Sequence, residues 1–403
     1  PGPITPKGGF TTVFYKSRVE DPRLVHLTGN TETLVAMDDS GRIEYRWLRY
    51  PNMLVLCRIT CAPIVAMGVS QDGKTVAYGH EDGLSVWRLP ELPRRSPTRL
   101  VALMDDLSVR GEYDKLEVIA TLLQRETRPF PWSADWSRFE TMIHWMSDGR
   151  AAPFWRGGGA DERTRKWRTA RPDSVAAKLV EAQRLIDEAW KARGSGFAFT
   201  VTKEGWKVFR AKIEEARQLV QPIADSEKPP AEVFTPLFAI AMAQSWERDQ
   251  VDKYVEKLMK AGQRHDSAHV QVAQLLMPRW GGEQGDSVAY AAKIADRIGG
   301  AQGDAVYARA AMALRKYHRF DTFLEETGFD PERVHKGIAR LIEEVPDDLS
   351  LVHEGLMFAF MDKDKEKGKV YARKLFVYDD DWSIGGWPSQ AFYLGVRNWA
   401  VRE

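Results

Sequence analysis

What most constrains this chain is an apolar stripe of helical period that returns, segment after segment, from about residue 100 to the end. Val175, Leu179, Ala182, Ile186 and Ala189 share one face of a helix, as three- and four-residue spacing demands. Asp173 or Ser174 caps its start and Gly194 ends it. Trp206, Phe209, Ile213, Ala216 and Val220 repeat the pattern in the next helix, which is expected to stop before Pro222. Further helices fit residues 234–245, 249–260, 265–276, 287–298, 304–317, 349–361, 365–376 and 389–401. Asp330, Pro331 and Glu332 read as a helix start, with an N-cap, a proline at the first position and an early acid, and Pro346 closes that helix. A helix with a single apolar stripe cannot bury it alone, so these stripes must face one another in stacked pairs.

The sharpest break in this run is Leu275 to Glu283, Leu-Leu-Met-Pro-Arg-Trp-Gly-Gly-Glu. Pro278 cannot continue a helix, and Gly281 and Gly282 give the backbone freedom that other residues lack. Arg279 and Trp280 between them suit a wedge between packed helices. The expectation is a structural corner, with Trp280 enclosed between helix pairs and Arg279 held by a carboxylate or by helix-end carbonyls. The sharper alternative is a binding corner.

Ahead of the helices the period is two. From Phe10 to about Leu92 short strands alternate with tight turns, after an extended lead-in over residues 1–9. A repeat of 42 residues runs through this part: Thr33 to Gly41 followed by Ile43 to Trp47, then Thr75 to Gly83 followed by Leu84 to Trp87. Each copy is a strand, an acidic turn ending in glycine, and a strand reaching a tryptophan; Ser70 to Gly73 adds a further hairpin turn. The motifs Ser-x-Asp-Gly-x-x-Val-Ala and Asp-Gly-x-x-x-Trp resemble WD40-type β-propeller blades. That resemblance implies a protein-binding surface without catalytic residues of its own. Propellers use roughly four to eight blades, and two are present here, so their edges need cover from the helical part or from a second copy of the chain.

Leu89 to Pro97 is punctuated by prolines and marks the boundary between residues 1–95 and 96–403. Beyond it a helix pair over 100–109 and 113–124 turns at Gly111, and Ser133 to Met146 reads as another helix. Residues 147–172 read as a long basic and aromatic loop, carrying Trp155, Arg156, Arg163, Arg165, Lys166, Trp167 and Arg168. Either these residues bind a protein partner, or the two tryptophans pin a solvated loop to the body.

Helices paired every 33–40 residues or so, with alanine at close-contact positions, resemble a degenerate tetratricopeptide-like solenoid, whose concave face is lined by alternate helices. The segment from residue 100 onward is also similar to an uncharacterised bacterial domain-of-unknown-function family. The similarity is carried by Asp173-Ser-Val-Ala-Ala-Lys-Leu179, Ala189-Trp-Lys-Ala-Arg-Gly-Ser-Gly196, Thr200-Val-Thr-Lys-Glu-Gly-Trp206, Leu276 to Gly282, and Gly303-Asp-Ala-Val-Tyr-Ala-Arg309. It implies a helical fold and a bacterial origin and brings no reaction with it; the expected setting is the bacterial cytoplasm. The fold class expected is therefore mainly α, a tetratricopeptide-like α-solenoid behind a small β domain of two propeller-like blades.

Chemistry is harder to find. The chain has no phosphate loop, no dinucleotide glycine fingerprint and no nucleophile elbow. The strongest metal candidate is His265-Asp266-Ser267-Ala268-His269, where the imidazoles share a helix face and Asp266 stands where a metalloprotease places its base. No third ligand is apparent, so no metal or cofactor is assigned, and a metal-dependent hydrolase remains the alternative to an interaction protein. Lys and Arg number 58 against 57 Asp and Glu, a balance that argues against a dedicated nucleic-acid binder. No apolar run approaches the roughly 18 residues of a membrane span. Cys57 and Cys61 lie too far apart along an extended chain for a disulfide and read as apolar fillers in a reducing compartment. Opening at Pro1, the chain reads as a processed form or a piece of a longer one, which leaves room for a removed targeting segment. The function expected is protein–protein interaction, as an adaptor, an assembly factor or a neutraliser of a toxin, on the helical array, the basic segment or the blade edges.

Overall fold

The change of period near residue 90 is also a change of unit: the chain divides into Pro1–Leu92 and Pro93–Glu403. The computed structural model describes seven strands in the first unit. In the second it describes residues 104, 107–125, 129–130, 133–147, 160–194, 196, 198–262, 264–346, 348–378 and 386–401.

In the first unit β1 (Leu24–Leu27), β2 (Thr33–Met37), β3 (Arg42–Trp47) and β4 (Leu54–Thr60) form an antiparallel sheet in chain order. A second antiparallel sheet joins β5 (Ile64–Val69), β6 (Thr75–His80) and β7 (Gly83–Arg88), again in chain order. The two copies of the sequence repeat fall on the β2–β3 and β6–β7 hairpins. Thr33 pairs with Trp47 in the first and Val76 with Trp87 in the second, so Trp47 stands at the open end of its hairpin and Trp87 one residue short of it. The lead-in, Cys61 and the proline-rich stretch 89–97 lie outside the described residues.

The second unit is mainly helical. It opens with α1 (Tyr113–Arg125), a short hairpin of β8 (Pro129–Phe130) and β9 (Ser133–Ser137), and α2 (Arg138–Ser147). The helix expected over 133–146 thus starts only at Arg138. Pro131 biases Phe130 toward extended backbone, and Phe130 then pairs with Ser133 in the hairpin.

A larger correction concerns the basic segment. Residues 160–170 are not loop but helix α3 (Ala160–Ala170). Its inward face carries Arg163, Thr164 and Trp167, all buried. Trp167 donates from Nε1 to Glu117 Oε1 of α1 at 2.7 Å, and Thr164 donates to Glu181 Oε2 at 2.6 Å. Lys166 points outward to Glu162 one turn away, at 2.6 Å. Two of the three inward residues are polar, so the face shows no apolar periodicity in the sequence. Trp155 and Arg156 lie outside the described residues.

From there the helices alternate. α4 (Val175–Arg193) is capped by Ser174, whose hydroxyl accepts from Ala177 N, and ends at Gly194. α5 (Lys203–Ala224) runs through Pro222 in its last turn instead of stopping before it. The stripe continues to Ala224, which is fully buried, and that burial outweighs the one missing backbone bond. α6 (Phe234–Gln244), α7 (Arg248–Ala261), α8 (Asp266–Leu275), a 3-10 turn over Pro278–Trp280, α9 (Asp286–Ile298) and α10 (Gly300–Arg315) follow. The series ends with the short α11 (Phe323–Thr327), then α12 (Pro331–Glu344), α13 (Leu349–Met361), α14 (Lys365–Tyr378) and α15 (Gln390–Val401). Helices α4, α6, α8 and α10 pack side by side in one layer. Helix α5 fills in between α4 and α6, α9 between α8 and α10, and α12 between α10 and α13.

Two glycines let backbones meet in this stack. A Cβ on Gly303 would lie 2.1 Å from the Ala295 carbonyl oxygen, and one on Gly337 would lie 2.0 Å from that of Asp304. Helices α9, α10 and α12 are therefore fixed to one another by main-chain contact, which no other residue type permits.

Candidate functional site

The one-layer arrangement of α4, α6, α8 and α10 leaves their second faces uncovered by the helices behind. On α8, Ala268, Val272 and Leu275 enter the core, while Ser267, Gln271 and Gln274 recur at four- and three-residue spacing on another face. On α4, Gln183, Asp187 and Trp190 have the same spacing. These stripes, with Ala239 and Met242 of α6, Arg309 and Ala313 of α10 and Glu354 of α13, line a cavity of about 780 Å³. The size is that of a ligand site rather than a packing defect.

The Pro278–Trp280 turn forms one end of the cavity. Gly281 takes a φ of 101°, and Gly282 lies so close to the Leu276 carbonyl that a Cβ would stand 2.0 Å from its oxygen. The chain is thereby folded back on the end of α8, and Arg279 and Trp280 are thrown toward α4 and α10. Trp280 meets Trp190 edge-to-face, with ring centroids 5.6 Å apart, and Trp190 in turn meets Phe209 at 5.1 Å.

This differs from the expected corner in two respects. Trp280 is half-buried and lines the cavity instead of being enclosed between helix pairs. Arg279 is exposed and held by rings, not by a carboxylate or by helix-end carbonyls: its guanidinium carbon is 4.8 Å from the Tyr317 ring centre and 5.5 Å from that of Trp280. The turn borders the cavity, so the indole of Trp280 is covered only in part, with Trp190 of α4 packed against it.

Two more cations have the same setting. Arg193 lies 5.5 Å from the Trp190 ring centre and 5.6 Å from that of Trp206, and donates to the Gly194 and Gly196 carbonyls. Lys316 lies 5.0 Å from the Tyr317 ring centre, and the Tyr317 hydroxyl accepts from Gln274 Nε2 at 2.7 Å. The other cations of the lining are charge-paired: Arg315 grips Glu354 through two bonds of 3.2 and 2.7 Å, and Arg309 stands 3.6 Å from Asp266. Among the described residues, Arg193, Arg279 and Lys316 have no carboxylate at ion-pair distance. Gln271 Oε1 and Trp280 Nε1 are buried with no hydrogen-bond partner among the described residues.

The other end of the cavity reaches a buried polar cluster. Glu140 Oε1 of α2 accepts from the Thr235 hydroxyl at 2.9 Å and from the Ser267 hydroxyl, and stands 3.1 Å from His265 Nε2. Burial opposes the charged imidazolium of His265, but the carboxylates of Glu140, Glu232 and Asp266 outweigh it and hold its pKa above the ordinary value. Burial likewise pushes the Glu232 carboxyl up, assisted by the charge of Glu140.

The His265, Asp266 and His269 constellation does not converge. His265 faces Glu140, His269 Nδ1 is 2.9 Å from the Tyr290 hydroxyl, and Asp266 pairs with Arg264 at 3.2 Å. No group of three or more His, Cys, Asp or Glu side chains gathers around one point among the described residues. Of the basic-segment residues, Arg163 and Trp167 are buried in the α3 packing, while Arg165 and Lys166 are exposed and Arg168 is half-buried. None of these five lines the cavity. Sequence reasoning missed Trp190, Arg193, Gln271, Tyr317 and Lys316. For Trp190 and Gln271 the signal was present, as polar and aromatic residues at helical spacing beside the apolar stripes of α4 and α8. No helix among the described residues is long and apolar enough to cross a membrane. No family model, curated protein or solved structure matches the chain.

Proposed function

We propose that the helical unit is a degenerate tetratricopeptide-like solenoid that binds an extended segment of a partner protein in this cavity. The observation that carries the reading is the lining itself. Four neighbouring helices line one space, α4 and α8 with polar stripes of equal spacing, and that space contains aromatic rings and a buried, unpartnered amide oxygen at Gln271. Ring faces and side-chain amides are the groups that hold an extended backbone, the amides by bonding main-chain N–H and C=O and the rings by covering apolar side chains. The four-stranded and three-stranded antiparallel sheets support reading the first unit as two propeller-like blades, a second surface for protein partners.

An array of immobilised peptides of mixed composition, probed with the full chain and with Ala239→Trp, tests the cavity reading. Ala239 lies in the lining and is partly exposed, so an indole there fills the space. Peptides retained by the natural chain and lost to the folded variant are the expected result. Equal retention by both places the binding elsewhere and removes the reading.

A further inference from the structure

We infer that the segment this cavity takes is acidic, and that the carboxylates of the ligand fall on Arg193, Arg279 and Lys316. The inference rests on the cavity being a peptide site and adds the chemistry of the peptide.

Charge within the lining is unbalanced in a specific way. Arg315 and Arg309 are neutralised by Glu354 and Asp266 within the protein. Arg193, Arg279 and Lys316 are held on ring faces instead. A ring holds a guanidinium without using its N–H groups, which can take a carboxylate through two parallel bonds; among the described residues Arg279 keeps all of them, while Arg193 already gives Nη1 to the Gly194 and Gly196 carbonyls and keeps the rest. Stacking therefore preorganises the charge without consuming it. A cation left unpaired beside a half-enclosed space also raises the local concentration of anions and speeds their arrival.

A single-stranded nucleic acid is the competing anion, since it too uses rings and arginines. It needs bare ring faces on which bases stack. Here Tyr317 carries Arg279 and Lys316, and Trp190 carries Arg193, while the edge of the Trp190–Trp280 pair is closed by the two indoles themselves. Carboxylates need only free guanidinium N–H groups, which Arg279 keeps whole and Arg193 in part. An acidic peptide is thus the better fit.

The test uses the full chain and three short fluorescent peptides of one length, alternating leucine with glutamate, glutamine or lysine, followed by fluorescence anisotropy. The glutamate peptide is expected to bind, the glutamine peptide to bind about tenfold more weakly or worse, and the lysine peptide not at all. The double variant Arg279→Gln, Lys316→Gln is expected to lower affinity for the glutamate peptide by about tenfold or more, while Lys336→Gln, outside the cavity, leaves it unchanged. Raising the salt from about 0.05 to about 0.5 M is expected to weaken binding, because these cations are near water. Glutamate and glutamine peptides bound equally, with loss only in Ala239→Trp, overturn the acidic inference and leave the cavity reading standing. Binding of the glutamate peptide that survives both Ala239→Trp and the double variant overturns both. Binding of no peptide overturns the acidic inference, as does an oligouridine strand that displaces the glutamate peptide and depends on the same two cations.

Discussion

Replacing Trp167 with alanine puts the corrected reading of the basic segment to a quantitative test. The side chain is fully buried between α3 and its neighbours, and its indole N–H donates to Glu117 Oε1 at 2.7 Å. Removing a buried tryptophan costs about 3–5 kcal/mol, through lost burial and the void left behind. About 1–2 kcal/mol of that belongs to the hydrogen bond, toward the low end for a carboxylate acceptor because Glu117 is partly exposed. At about 2–4 °C per kcal/mol for a unit of this order, Trp167→Ala is expected to lower the melting temperature by about 6–20 °C. Trp167→Phe keeps most of the ring and loses only the donor, so a fall of about 2–8 °C is expected. Circular dichroism of the full chain, following the helical transition, reads both. A melting temperature unmoved by Trp167→Ala would mean that residues 160–170 are a solvated segment and that the α1–α3 contact does not exist in solution.

Three further outcomes follow from the packing and the charges. Gly337→Ala is expected to cost about 1–3 kcal/mol, read as a lower denaturant midpoint, since the added methyl meets the Asp304 carbonyl and the Ala308 methyl; an unchanged midpoint would show that α10 and α12 are not in main-chain contact. Trp280→Ala is expected to weaken peptide binding while lowering the melting temperature less than Trp167→Ala does, because Trp280 is only partly buried whereas Trp167 is fully buried; a fall as large as that of Trp167→Ala would make it a packing residue after all. His265 has its pKa raised on folding, so its contribution is complete below its unfolded value of about 6.5 and is lost as pH climbs through the folded one. The raised carboxyl of Glu232 acts in the same direction. The helical unit should therefore melt higher at about pH 6 than at about pH 8.5, with the difference reduced in His265→Gln; a rise of stability over that interval would refute the assignment.

The helices were legible wherever burial is apolar. The Val175-to-Ala189 stripe, the Asp330–Pro331 start and the span Leu349–Met361 all stand in the structure where spacing and capping put them. Legibility failed where burial is polar or where tertiary contact overrides local preference. The α3 face hides an arginine and a threonine, so its charges looked like a solvated loop. Pro222 looked like a stop, but the burial of Ala224 carries the helix past it. Ser133 to Ser137 reads as helix by spacing, and only the pairing back to Phe130 makes it a strand. At the site, Arg279 and Trp280 stood out because a proline and two glycines flank them. Their surroundings did not, because Trp190, Arg193, Tyr317 and Lys316 come from α4, from the residues after α10 and from no common motif. Distance along the chain hides a cluster that only the stacking of helices assembles.

The equal spacing of the polar stripes on α4 and α8 has a consequence for how such a chain can change. Neighbouring helices in one layer stand about 8–10 Å apart, and an extended polypeptide advances about 3.3–3.6 Å per residue. Each inner helix therefore measures off about two or three residues of whatever lies along the layer. Duplicating or deleting one inner helix with its outer companion would lengthen or shorten that measure by a whole step, without altering the positions already in place. For a polypeptide bound along the layer, helix diameter would set the divisions of that measure.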